Sequence, residues 1–299
     1  VSLKKLFDKQ PKTKAKAKNK MSEKDKKLLI IAFDLLALFC IVLFCMAITP
    51  RSFQNDTFYT IKIGQDIRKN GIDYKEFDPS KDEYINYNYD DTNFLKQKEM
   101  NKNELLKSMH LRNSGQPLFG MVSRLTWQKG MDLFFAMAYE LAKKGCNLVI
   151  LGSGEYQAEQ ELETLRARYP DTVGIYIGYN NALAHQMYAS SDFFLMPSLF
   201  EPCGIGQMIA MRYGAIPIVR ETGGLKDTVI PYNKYTGEGN GFSFANYNAH
   251  EMFFTLQYAI RLYQDKKVWN KLITNAMNTD NSWKKSAQDY IRIFNGLIS

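Results

Sequence analysis

Pro117-Leu118-Phe119-Gly120-Met121-Val122 opens a pattern that recurs along the chain, a short apolar run followed by a stretch of helical periodicity. Asn147-Leu148-Val149-Ile150-Leu151 is the second run, and residues 173–177, 193–196 and 216–219 are the others. Helical patterns fill the intervals near 130–144, 155–168, 182–190 and 204–213. Strands and helices alternating at this pitch predict βαβ units, hence a parallel sheet with helices on both faces. The fold class is α/β. Upstream, residues 75–116 are charged, with paired tyrosines and asparagines, and read as a loop leading into a helix near 101–109. From residue 248 on the pattern is helical throughout.

At 299 residues the chain has room for one large domain or two modest ones. Its formal charge of +8 comes entirely from residues 1–27, where eleven lysines face Asp8, Glu23 and Asp25. The rest carries no basic bias, so nucleic-acid binding loses its main support. The tail itself reads as a disordered, solvated or lipid-facing arm. Cysteines 40, 45, 146 and 203 form no C-x-x-C pair and no ligand spacing with histidine, which speaks against a disulfide framework or zinc site.

Leu28 to Ile48 is almost unbroken apolar sequence with a single charge, Asp34. It is long enough to cross a ~30 Å hydrocarbon core as a helix. It is also long for a signal-peptide h-region, and no small-x-small cleavage site follows before Pro50. A transmembrane helix at 28–48 keeps the lysine tail on the cytoplasmic side and sends everything after residue 50 outward. Residues 49–72 then read as a loop of membrane-protein type, ahead of a domain at 73–299.

Three strings can carry chemistry. Phe200-Glu201-Pro202-Cys203-Gly204 supplies a carboxylate; Ser123-Arg124-Leu125-Thr126-Trp127-Gln128-Lys129-Gly130 supplies two cations; Thr222-Gly223-Gly224-Leu225 supplies a glycine turn. Arg124 and Lys129 follow the first strand, at the sheet edge where open α/β proteins bind ligands. A guanidinium offers a planar fork to phosphate and an ammonium a point charge. An Arg–Lys pair in a loop is otherwise a solvated face, and Gly-Gly is otherwise a plain turn. Gly152-Ser153-Gly154 lacks the third glycine of a dinucleotide fingerprint, since Gln157 stands in its place; a tight strand-to-helix turn accounts for it. Cys203 has no histidine placed to activate it and reads as pocket lining. His110 and His185 read as structural or exposed.

In order and spacing these strings resemble the C-terminal half of bacterial glycogen (starch) synthases of the ADP-glucose type. The resemblance runs from Asn70-Gly71-Ile72-Asp73-Tyr74 onward, over roughly residues 70–299. It implies one Rossmann-like glycosyltransferase domain, the C-terminal half of a GT-B fold. It further implies glucose transfer from ADP-glucose, with retention, to the non-reducing end of an α-1,4-glucan. Carried onto this chain, Arg124 and Lys129 bind the diphosphate and Glu201 contacts the transferring glucose and stabilises its oxocarbenium-like centre. Tyr179 stacks on the adenine, while Cys203, Gly204, Thr222, Gly223 and Gly224 line the nucleotide-sugar pocket. No metal or cofactor is expected beyond the ADP-glucose donor; no Asp-x-Asp motif accompanies these residues. Many related enzymes carry a second glutamate where Ile209 stands, and the glycogen synthase branch lacks it too. Gly206 replaces the family's usual threonine, which puts one hydroxyl contact in doubt.

The front of the chain does not fit that family. That part resembles the start of an unrelated membrane protein, and the two resemblances meet near residues 70–72, so the chain reads as a hybrid joined at a short common sequence, with Met21 an alternative start. The family's first domain, which supplies the acceptor site, is absent from the text, and a separate N-terminal synthase domain becomes a candidate partner. Donor binding with negligible glucan synthesis follows, since the two half-sites act as a unit. Trp283, Ala287, Tyr290, Ile291, Phe294 and Leu297 fall on one helical stripe that would cross back to that first domain. As written the chain is membrane-anchored, although its catalytic domain is of cytoplasmic type. The alternative readings are a membrane-tethered polysaccharide glycosyltransferase using another nucleotide sugar, and a non-catalytic nucleotide- or glucan-binding module.

Overall fold

The structure is a computed structural model that describes residues 76–282. The apolar run 28–48, the junction near residues 70–72 and the stripe from Trp283 to Leu297 lie outside the described residues. Within them, no helix is long and apolar enough to cross a membrane.

Six strands form one sheet, in the order β3-β2-β1-β4-β5-β6. They are β1 (Leu118–Val122), β2 (Asn147–Gly152), β3 (Val173–Ile177), β4 (Phe193–Met196), β5 (Ile216–Arg220) and β6 (Phe242–Phe244). All neighbours pair in parallel, with Phe119 opposite Leu148 on one side and opposite Phe193 on the other. The helices are α1 (Phe94–Ser108), α2 (Met131–Lys143), α3 (Tyr156–Arg168), α4 (Asn181–Ser190), α5 (Gly206–Arg212), α6 (Gly223–Thr228), α7 (Ala249–Gln264) and α8 (Lys266–Met277).

The near-continuous apolar strands follow from burial on both faces. Successive residues point to opposite sides. Phe119, Met121, Leu148 and Ile150 join the large cluster with Phe134, Met137 and Leu256 from α2 and α7. Leu118, Val149 and Leu151 join the opposite cluster with Leu105, Leu106, Leu183 and Met187 from α1 and α4.

The predicted strands and helices from residue 117 on are present within a residue or two of their expected bounds. Two corrections concern what was not expected. β6 has three residues, too few for a periodicity to show, and it follows the turn-rich segment 229–241. Helix α1 begins at Phe94, well before residue 101, and the charged stretch around it is anchored inside the protein.

The anchors are buried polar groups. Lys98 Nζ donates to the carbonyls of Ala189, Ser191 and Tyr213 at 3.0, 3.1 and 2.9 Å. It thereby collects orphan carbonyls at the C-terminal ends of α4 and α5, where a cation is favoured. Tyr89 Oη donates to the Tyr213 carbonyl at 2.8 Å. Lys102 pairs with Asp192 at 2.8 Å, and the other contact of that carboxylate is the Leu118 N–H at the start of β1. Asp82 accepts from His185 Nδ1 at 2.8 Å and from Tyr213 Oη at 2.5 Å, with the His185 ring stacked on Phe77. Burial pushes the Asp82 carboxyl up, but the hydrogen bonds from His185, Tyr213 and Tyr84 hold it below its ordinary value. His185 is thus structural, and His110 is exposed with a left-handed φ of 56°.

Burial pulls the Lys98 amine from 10.5 down to about 7, against the opposing pull of Asp192. A lysine with a depressed folded pKa binds fewer protons in the native than in the unfolded chain above that pH. Stability contributed by Lys98 therefore rises with pH from about 7 upward, by at most about 1.4 kcal/mol per unit. Urea unfolding of wild type and Lys98→Met at stepped pH between roughly 6.5 and 8.5 checks this as a difference between the two chains, in which the thiols and imidazoles that also titrate there cancel. The slope is expected in wild type and lost in the variant; equal slopes contradict it.

Candidate functional site

Strands β1 and β4 are sheet neighbours, although β2 and β3 intervene in sequence. The order of strand addition reverses between them. At such a switch point the following loops part to opposite faces and leave a crevice at the C-terminal edge. Here the crevice is flanked by residues 123–130 after β1 and residues 197–205 after β4.

The two loops are stitched together. Leu199 N–H donates to the Gln128 carbonyl at 2.9 Å, and Gln128 Nε2 reaches the Phe200 carbonyl at 3.4 Å. Gly130 has φ 76°, and a Cβ there would stand 2.1 Å from the Pro197 carbonyl oxygen. Glycine alone lets the short 3₁₀ turn Trp127–Lys129 pass so close before α2 begins. On its other flank this loop is braced by the Gly152-Ser153-Gly154 turn: Leu125 N–H donates to the Ser153 carbonyl at 3.0 Å, and Glu155 N–H to the Leu125 carbonyl at 2.8 Å.

Stitching brings Lys129 against Glu201. Nζ stands 2.6 Å from Oε2, and the two side chains are 18% and 10% exposed. Ser198 Oγ donates to the same carboxylate oxygen at 3.2 Å. An ion pair this far from water is stronger than a surface pair, and breaking it strands a charge. An incoming anion can draw the ammonium away and free the carboxylate to face a centre of positive charge.

The remaining expected residues are distributed around this pair. Arg124 is half-buried in the same loop, its carbonyl accepting from Ser123 Oγ at 3.0 Å. The turn Thr222-Gly223-Gly224 packs on the backbone of the Glu201 loop. Gly223 has φ 45°, and added Cβ atoms at Gly223 and Gly224 would lie 2.1 and 2.0 Å from the carbonyl oxygens of Glu201 and Cys203. The Gly224 N–H donates to the Pro202 carbonyl at 3.1 Å and so braces the loop. Gly204 is buried with φ 69°, and the Cys203 thiol is exposed. Tyr179 stands beyond the end of β3, two strands from β1, 71% exposed, with its hydroxyl 3.4 Å from Asn181 Oδ1.

Ile209 lies in the core on α5. Gly206 opens that helix with its nearest neighbour, the Phe194 ring, 3.4 Å from an added Cβ, so the backbone there would admit a small side chain. Three supporting residues escaped sequence reasoning. Ser198 lies two residues ahead of the Phe200–Gly204 string, and a loop serine carries no signal. Gln207 is buried and donates from Nε2 to the Gly204 carbonyl at 3.0 Å and to Thr228 Oγ1 at 3.1 Å, tying α5 to α6. Arg220 holds the carbonyls of Ser198 and Leu199.

The family described as "Glycosyl transferases group 1" matches residues 102–279. The chain belongs to this family. Among its relatives, the glycogen synthase of Clostridioides difficile (strain 630) is 56% identical over 226 residues, covering 75% of this chain and 47% of that protein. The glycogen synthase of Bacillus anthracis is 50% identical over 230 residues, covering 77% and 48%. Among solved structures, the catalytic domain of starch synthase IV from Arabidopsis thaliana, bound to ADP and acarbose, superposes with a TM-score of 0.70 at 36% identity, covering 75% of this chain and 47% of that one. The chain thus spans about half the length of the curated relatives it matches.

Lys129→Met and Glu201→Gln, singly and together, test the pair. Each single variant is expected to lose about 2 kcal/mol of stability, and the double variant less than the sum by about 1 kcal/mol or more. Additive losses in a urea-unfolding cycle would show the two side chains to be independent.

Proposed function

We propose that residues 76–282 carry the donor-binding half of an ADP-glucose glucan synthase, which transfers glucose with retention to the non-reducing end of an α-1,4-glucan. The observation that carries the reading is the Lys129–Glu201 pair at 2.6 Å, at the switch-point edge of the sheet. The identity to glycogen synthases and the likeness to a starch synthase that binds ADP support the same assignment.

In this reading Arg124 and Lys129 neutralise the diphosphate as the bond to glucose breaks. Fixed cations lower that barrier because they need no reorganisation as charge develops. Glu201, released from Lys129, faces the oxocarbenium-like carbon and stabilises its charge. Tyr179, exposed beyond β3, offers a ring face to the adenine. Cys203, Gly204 and the Thr222–Gly224 turn form the wall against which the sugar and phosphates rest. The reading asks for no cofactor beyond the donor itself, and for an α-1,4-glucan and a separate N-terminal synthase domain as partners. It takes the apolar run 28–48 as a membrane anchor, on its length and apolarity alone.

Calorimetric titration of the full chain with ADP is the direct test. Wild type is expected to bind, and Arg124→Ala and Lys129→Ala are each expected to weaken binding roughly 10- to 100-fold, the loss of one charge-assisted contact. Binding indifferent to both substitutions would remove the diphosphate assignment.

A further inference from the structure

Arg220, the last residue of β5, turns its guanidinium along the sheet edge toward the loop that carries Glu201. Nε donates to the Ser198 carbonyl at 2.9 Å and Nη2 to the Leu199 carbonyl at 2.5 Å. Nη1 reaches the Ala245 carbonyl, beyond β6, at 3.4 Å. The guanidinium carbon lies 5.7 Å from the centre of the Tyr247 ring, and the Tyr247 hydroxyl donates to Asp132 in the first turn of α2. Burial and the bond to Asp132 push the Tyr247 phenol up, which keeps it a donor. One side chain therefore joins the ends of β5 and β6, the start of α2 and the loop after β4.

Backbone contacts with residues 128–130 and 223–224 hold that loop from two sides, but apolar packing does not. Leu199 and Phe200 are 48% and 56% exposed, so no apolar side chain anchors it between Ser198 and Glu201. The fork on two successive carbonyls sets the direction in which the chain leaves Ser198. Ser198 is held at both ends, its carbonyl by Arg220 and its hydroxyl on Glu201. A lysine could restore the charge at this place but not the planar fork.

We propose that Arg220 is a positioning residue for Glu201, fixing the Ser198–Leu199 backbone so that the carboxylate meets Lys129 and, in the loaded site, the glucosyl group of the donor. The inference rests on the donor site proposed above. Its consequence is selective, since the backbone that Arg220 fixes leads to the residue facing glucose and not to Arg124 or the adenine side.

Arg220→Lys in the full chain, titrated separately with ADP and ADP-glucose, tests it. ADP-glucose affinity is expected to fall about tenfold while ADP moves less than roughly threefold. A parallel fall for both ligands with a lowered Tm would assign Arg220 to the fold alone, and unchanged affinities would remove its role; either overturns the proposal. A ligand-free measurement stands beside it, acylation of the Lys129 amine by a limiting N-hydroxysuccinimide ester, read by peptide mass mapping. Glu201→Gln is expected to raise labelling of Lys129, and Arg220→Lys to raise it to the same level. Wild-type labelling in Arg220→Lys overturns the proposal even where wild type binds neither ligand, a failure that would count separately against the donor site.

Discussion

Everything at the site depends on the parallel pairing of β1 with β4. It sets Phe119 and Gly120 beside Phe193 and Phe194, and with them the two loops that leave the C-terminal edge. Without that pairing, Lys129 and Glu201 would be 72 residues apart with nothing to join them. With it, the residual freedom is small, and glycine reduces it further. Gly130 lets one loop touch Pro197, and Gly223 lets the next turn touch Glu201. The backbones are in contact on both sides of the carboxylate, which narrows its position, and the Arg220 fork on the Ser198 and Leu199 carbonyls acts within those bounds.

The ion pair is best understood as a group held ready. A lone carboxylate this buried would be costly, and a lone ammonium likewise. Paired, they satisfy each other. The pair is also frustrated in a useful sense, because neither partner is saturated. Glu201 receives Lys129 and Ser198 on one oxygen, Oε2. A ligand with both a negative and a positive developing centre can split the pair and satisfy each half. A neutral ligand, or one with a single charge, would leave one half stranded. The arrangement thus discriminates by charge distribution before it discriminates by shape.

The sheet from residue 117 on was legible because its strands are apolar runs bounded by helical periodicity, and parallel pairing needs nothing further. Lys129, Arg124 and Glu201 were legible only as part of strings that resemble a family; alone, a loop lysine and a loop glutamate are solvated charges. The stretch around α1 was misread for a physical reason. Lys98 and Lys102 sit among Lys96, Glu99 and Lys107, a pattern that describes an exposed face. Their burial is caused by partners far away in sequence, the carbonyls of Ala189, Ser191 and Tyr213 and the carboxylate of Asp192. No local pattern encodes a helix C-terminus waiting for a cation. β6 was missed at the other extreme, since three residues cannot establish an alternation and the strand exists only as an edge added to β5.

The same separation explains why Arg220 and Gln207 went unseen while Glu201 did not. A residue that touches substrate belongs to a string whose neighbours also serve the substrate. A residue that holds the loop in place is recruited from whichever element passes nearby, here the end of β5 and the first turn of α5. Both act on carbonyl oxygens, which every residue carries, so the loop they hold shows no complementary signal either. The charged residues of the crevice and the residues that aim them are therefore encoded differently. The first set is written in adjacent letters. The second exists only once the sheet has closed, and that closure returns the argument to the β1–β4 pairing on which both depend.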